Sequence, residues 1–144
     1  MNDVTHHFNA AHYDQAFALW QACEGIGLSD ADTRCCISKY LDRNPGTSFV
    51  AFEGDTLVGT ILGGHDGRRG FIHHLAVHPE YRHLGIGRQL VEATVDALKA
   101  AGINKCHLFI LNTNQSGMEF WQKMGWTVRK DISVISLVLE KGTC

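Results

Sequence analysis

Between Gly85 and Ala101 the apolar side chains fall at Ile86, Leu90, Val91, Val95 and Leu98, and Gly102 follows as a stop. Steps of three and four residues put one stripe on one face, so residues 85–101 are predicted to form an amphipathic helix. Phe17, Leu19 and Trp20 mark an earlier helix over residues 11–23, closing near Gly25 and Gly27. Ser29, with Asp32 three positions on, resembles a capping box and opens a second helix through about residue 41. β-branched and aromatic runs predict strands at residues 4–8, 48–52, 56–64, 71–77, 105–111 and 132–140. Glu53-Gly54-Asp55 turns the chain between two of them, and Asp66-Gly67-Arg68-Arg69-Gly70 between the next two. A short helix over residues 115–124, closed by Gly125, completes the order β-α-α-β-β-β-α-β-α-β. Three meandering strands followed by a strand-helix-strand unit imply an α/β (α+β) architecture on a mixed sheet.

At 144 residues the chain is sized for a single domain, residues 1–144, with one core. Its 44% hydrophobic and 19% charged residues describe an ordinary globular composition. A formal charge of −2 offers no global attraction to nucleic acid or to an anionic membrane, so neither is expected as a partner. No run approaches the roughly 18 apolar residues that cross a bilayer, and the first residues lack a basic start and apolar stretch. The five cysteines are odd in number and form no C-x-x-C pair. A disulfide framework is not expected, adjacent Cys35 and Cys36 are assigned separate packing roles, and the reducing cytoplasm is the expected location.

The chemistry concentrates in residues 71–98, FIHHLAVHPEYRHLGIGRQLVEATVDAL. A strand runs into a loop holding Arg82, Gly85 and Gly87, and a helix begins at once. A helix start presents unpaired N–H groups and a positive dipole end, which suits a phosphate. Glycine lets that backbone approach closely, and Arg82 and Arg88 add charge-assisted donors. GxxxxGK[ST] is absent, and Gly85-Ile86-Gly87-Arg88-Gln89-Leu90 lacks the third glycine of a dinucleotide fingerprint.

The spacing R-x-x-G-x-G after L-A-V-x-P-x-Y resembles the GNAT superfamily of N-acetyltransferases, and the likeness extends over nearly the whole chain. Asn114-Gln115-Ser116-Gly117-Met118-Glu119-Phe120-Trp121 is similar to its N-x-x-A-x-x-F-Y segment, with Gly117 for Ala and Trp121 for Tyr. Lys123-Met124-Gly125-Trp126 is similar to its K-x-G-F ending, and GGHDGRRG before HLAVHPEYR looks most like small bacterial YpeA-type acetyltransferases. The resemblance implies a mostly antiparallel sheet of six to seven strands flanked by about four helices. It implies acetyl-CoA as cosubstrate, no metal, and a primary amine as acceptor, attacked directly in a ternary complex. Leu75, Ala76 and Val77 would offer backbone groups to the pantetheine arm where two strands splay. The Val77 N–H would face the thioester carbonyl, a role worth about 3 kcal/mol. Arg82, His83, Leu84, Gly85, Ile86, Gly87 and Arg88 would wrap the pyrophosphate. Asn114 would bond the pantetheine, and Phe120 and Trp121 would line its pocket. Edge strands of such sheets also pair into homodimers.

An amine attacks only when neutral, so a base is needed; His73 and His74 on the strand before the loop are the candidates. Strict alternation would put one on each face of the sheet, with His73 sharing the face of Leu75 and Val77, which makes His74 the preferred base. His78 and Glu80 are loop alternatives. Three histidines at 73, 74 and 78 do not make a metal set, because the adjacent pair is split and no carboxylate or cysteine completes it. Trp121 stands where the family places a tyrosine that protonates the leaving thiolate, and indole is not an acid near neutrality. The acid is therefore unassigned, with Tyr13, Tyr40 and Tyr81 as substitutes, and a non-catalytic acyl-CoA-binding module is the alternative reading. On the acceptor side, Glu24, Asp30 and Asp32 are candidate attractors for a cationic amine.

Overall fold

The computed structural model describes residues 5–142 and 144; Val4, the start of the first expected strand, lies outside them. Strands β1 (Thr5–His7), β2 (Phe49–Glu53), β3 (Thr56–His65), β4 (Gly70–Val77) and β5 (Cys106–Leu108) lie in the order in which they occur. All pairings are antiparallel except β4 with β5. Helices α1 (Tyr13–Ala22) and α2 (Arg34–Arg43) belong to one face. On the other lie α3 (Ile86–Ala100) and the aromatic side of α4 (Gln115–Lys123). The α1 face buries Trp20 and Leu62 with Ala76, and the α3 face buries Ile61 and Ile72 with Leu90 and Val91. Full burial of each large side chain contributes about 1.5–3 kcal/mol, which fixes the strand register that carries the site.

Caps locate the helix starts more finely than periodicity does. Ser29 and Asp32 do close a reciprocal capping box, but around a 3-10 turn over Asp30–Asp32. Thr33 then accepts from the Cys36 amide and starts α2, so the second helix begins later than expected.

Two expectations are corrected at the end of the chain. The sheet has five strands among the described residues, not six or seven, because residues 127–142 form neither strand nor helix. The segment expected as the last strand leaves Ile135 at 94% and Leu139 at 86% exposure. A strand exists only as part of a ladder, and β5 is three residues long and paired on its β4 side. The tail instead runs to α2, where Gly142 lies against the Asp30 carboxylate and Cys144 is disulfide-bonded to Cys35, Cα to Cα 5.7 Å. Cys35 is exposed on α2, so its separate packing role gives way to a cross-link that spacing could not announce.

Candidate active site

β3 and β4 fall out of step once. Thr60 faces Ala76 and Leu62 faces His73, so Ile61 alone opposes both His74 and Leu75. The extra residue is taken up at His74, whose φ of 48° is left-handed. Such a conformation costs about 1–2 kcal/mol in a non-glycine residue. Two bonds offset it. The Thr60 hydroxyl donates to the His74 carbonyl at 2.9 Å while accepting from Trp20 Nε1 at 2.9 Å. The His74 Nε2–H donates to Asp32 Oδ1 at 2.7 Å, and a charge-assisted bond of this kind contributes about 1.5–3 kcal/mol.

The bulge corrects the expected alternation. It turns the His74 ring to Trp20, centroids 4.7 Å apart, while His73 meets Tyr40 at 6.1 Å. Trp20 and Tyr40 both belong to the α1 face. Both histidines therefore share that face, and Leu75 and Val77 pack with the α3 cluster. An inserted residue breaks period two, which is why counting from Leu75 misplaced His73.

Beyond Ile72, β4 has no partner on its outer side, because β5 pairs only with residues 70–72. This is the splay expected at Leu75, Ala76 and Val77. The His78 N–H donates to the Val58 carbonyl at 2.8 Å, so the neighbouring Val77–Gly59 pair is a non-bonded one. The Val77 N–H consequently points away from β3 toward the uncovered edge. Along the same edge, beside residues 72–75, opens a cleft of about 350 Å³ that is also lined by residues 25–27 and 108–111 with Asn114 and Trp121.

At the next corner, His83 (φ 66°) and Gly85 (φ 85°) take left-handed backbone and α3 starts without a side-chain cap. A Cβ on Gly85 would meet nothing within 4 Å, so there is open room beside the start of α3. His83, Leu84 and Arg88 are exposed around it, while Ile86 is buried and can offer only its backbone. Uncapped amides, open room and a cationic rim fit a diphosphate. Gly87 faces the Phe120 ring, 3.4 Å from where its Cβ would be, which joins α3 to α4.

Not every expected ligand residue faces the cradle. Arg82 turns inward: Nε donates to the Val77 carbonyl at 2.9 Å and Nη1 to Glu24 at 2.8 Å. The Glu24 bond, partly opposed by burial, raises its already high pKa. Asn114 Oδ1 accepts from the Gly117 amide at 3.0 Å and caps α4. Its amide nitrogen lies where a Cβ on Gly117 would come within 2.6 Å, so glycine in place of the family's alanine follows from this packing.

Asp32 is buried and bonded to His74, whereas Glu24 is an exposed side chain that pairs with Arg82 at the surface. Burial raises the Asp32 pKa, but bonds from His74 and the Ser29 amide outweigh it and leave the pKa lowered. Burial lowers the pKa of His73, helped by His74 and opposed by Asp32, so His73 is neutral at pH 7. Because ionised Asp32 accepts only, Nε2 of His74 carries a proton, so in the neutral ring the lone pair lies on Nδ1. No tyrosine lines the cleft: Tyr13 donates to the Asp32 carbonyl at 2.6 Å, and Tyr40 places its hydroxyl beside Gly64. Trp121 does line it, with Phe120 edge-on at 5.3 Å. The Asp32–His74 pairing was not legible in the sequence, since no local pattern marks a contact between residues 42 apart.

An open strand edge beside an uncapped, glycine-entered helix fits a ligand with an extended arm and a diphosphate, and the comparisons give the class: an acyl-CoA-using transferase. Residues 13–126 match the acetyltransferase (GNAT) family, and the chain belongs to it. An acetyltransferase of Photorhabdus laumondii is 31% identical over 128 residues, 89% of each chain. One of Sodalis glossinidius is 27% identical over the same length and coverage. Among solved structures, the PaiA N-acetyltransferase of Thermoplasma acidophilum in complex with coenzyme A superposes with a TM-score of 0.76. It is 20% identical, covering 90% of this chain and 92% of that one. The protein is an N-acetyltransferase that uses acetyl-CoA and an amine acceptor. Among the described residues no group of three or more side chains could hold a metal, and no helix is long and apolar enough to cross a membrane.

Proposed function

We propose that the acceptor amine attacks in the cleft between β4 and β5, with His74 as base and the Val77 amide as oxyanion donor. Acetyl-CoA supplies an activated thioester. The amides of residues 85–87 with Arg88 hold its diphosphate, and residues 75–77 align its arm as an added strand would be aligned. His74 Nδ1 takes the proton from the attacking nitrogen while Asp32 stabilises the imidazolium. The Val77 N–H donates to the carbonyl oxygen as negative charge develops on it, a contribution of about 3 kcal/mol. His73, half-buried, shapes the wall beside His74. Expelling a thiolate without an acid costs roughly 2 kcal/mol at pH 7 for a thiol near 8.5, a tolerable penalty where Trp121 replaces tyrosine.

The observation that carries the reading is the Asp32–His74 bond at a left-handed bulge beside an uncovered strand edge. The test is acceptor-dependent release of free thiol from acetyl-CoA across a broad amine panel. His74→Gln should lower turnover at least thirtyfold with CoA affinity retained. Thiol release at background for every amine, with CoA bound tightly, would instead support a non-catalytic acyl-CoA-binding module.

A further inference from the structure

Thirteen residues line the cleft, and none is aspartate, glutamate, lysine or arginine. Its walls are backbone and apolar side chains such as Ile26, Phe109 and Leu111, with His73 and His74 as the titratable groups. The carboxylates nearest in the chain, Glu24, Asp30 and Asp32, are not part of that lining; Glu24 pairs at the surface with Arg82 at 2.8 Å, and Asp32 pairs with His74 at 2.7 Å. Asp32 is 7% exposed, is bonded to the imidazole, and is not among the residues that line the cleft. A protonated amine entering this cleft would lose water and find no counter-charge, which is strongly unfavourable.

Resting on the transferase reading, we infer that this enzyme selects acceptors whose amine is largely uncharged at neutral pH and carried on an apolar body. An α-amino group on an apolar residue is the prime example. Lysine-like ε-amines and polycations are poor acceptors. At pH 7 an ε-amine with a pKa of about 10.4 is neutral in about 1 molecule in 2,500, and an α-amine near 7.8 in about 1 in 7. A site without a carboxylate passes that several-hundredfold difference directly into kcat/KM.

The experiment compares leucinamide, Nα-acetyl-lysine amide and spermidine at pH 7 by thiol release. Leucinamide should exceed the lysine derivative by about a hundredfold or more in kcat/KM, with spermidine at background. Leu111→Glu, a substitution at a position 56% exposed, supplies a counter-charge and should narrow the first ratio by about tenfold. A ratio below about tenfold in the wild type, a preference for spermidine, or an unchanged ratio in Leu111→Glu overturns the inference. Turnover of none of the three, with CoA still bound, also overturns the inference, whereas background thiol release across the whole broad amine panel is the separate result that counts against the proposed catalytic site.

Discussion

Replacing Asp32 by asparagine changes one oxygen to an amide nitrogen at a place where both oxygens are used. Oδ1 accepts from His74 Nε2 at 2.7 Å and Oδ2 from the Ser29 amide at 2.9 Å. Asparagine has one acceptor and must turn its NH2 toward one of these donors. Facing Ser29, it sets two donors against each other in a buried site, at a cost of about 1–3 kcal/mol. Facing His74, it demands that Nε2 accept, which moves the ring proton to Nδ1 and removes the lone pair that would take the proton of the amine. Either way the carboxylate that stabilises the imidazolium is gone. Loss of a charge-assisted bond worth about 2–3 kcal/mol lowers kcat about 30- to 150-fold. A forced tautomer can raise that toward 10⁴-fold. CoA affinity should stay within about threefold, because no part of the cradle contacts Asp32. The ¹⁵N shifts of the His74 ring report the tautomer independently of turnover. A variant with kcat within threefold of wild type and an unchanged His74 tautomer would refute the reasoning.

Gly85→Glu places a side chain and a negative charge where the first amides of α3 open, on backbone at φ 85°. CoA affinity should fall at least a hundredfold while far-UV circular dichroism is retained; unchanged affinity would remove the cradle assignment. The lowered pKa of His73 means that the folded state resists protonation, so stability is full above its ordinary value of 6.5 and declines as pH falls below it. The lowered pKa of Asp32 adds stability present above 3.8 and lost as pH falls through its folded value. Melting temperature should therefore fall in two separate ranges, and His73→Asn should flatten the upper one alone. Gly117→Ala, elsewhere in a helix worth up to about 1 kcal/mol, should give no gain here because the methyl displaces the Asn114 cap. In an Asn114→Ala background the same change should raise the melting temperature by about 3 °C.

The parts of the site legible in the sequence are those written locally. Helix α3 was visible because its apolar stripe recurs at helical spacing from Ile86 to Leu98 between Gly85 and Gly102. The anion loop was visible because residues 82–88 are contiguous, and its chemistry needs only backbone. The bulge was not, because a one-residue insertion at His74 leaves the composition of β4 unchanged while reversing the face of everything before it. The partner of His74 was read as a helix cap, and it is a cap; its second bond crosses 42 residues and depends on α1 and β4 being packed first. Arg82 illustrates the same limit, since motif spacing places it at the loop but not its inward turn to Glu24 and Val77. The tail over residues 132–140 has the pattern of a buried strand, yet pattern alone does not supply the neighbouring ladder.

The most direct measurement is a crystal structure with acetyl-CoA bound. The thioester oxygen should lie about 3 Å from the Val77 nitrogen, with the diphosphate on the amides of residues 85–87 and the acetyl carbon reached from the His74 side. A thioester placed along another strand, or a diphosphate away from the start of α3, would contradict the account.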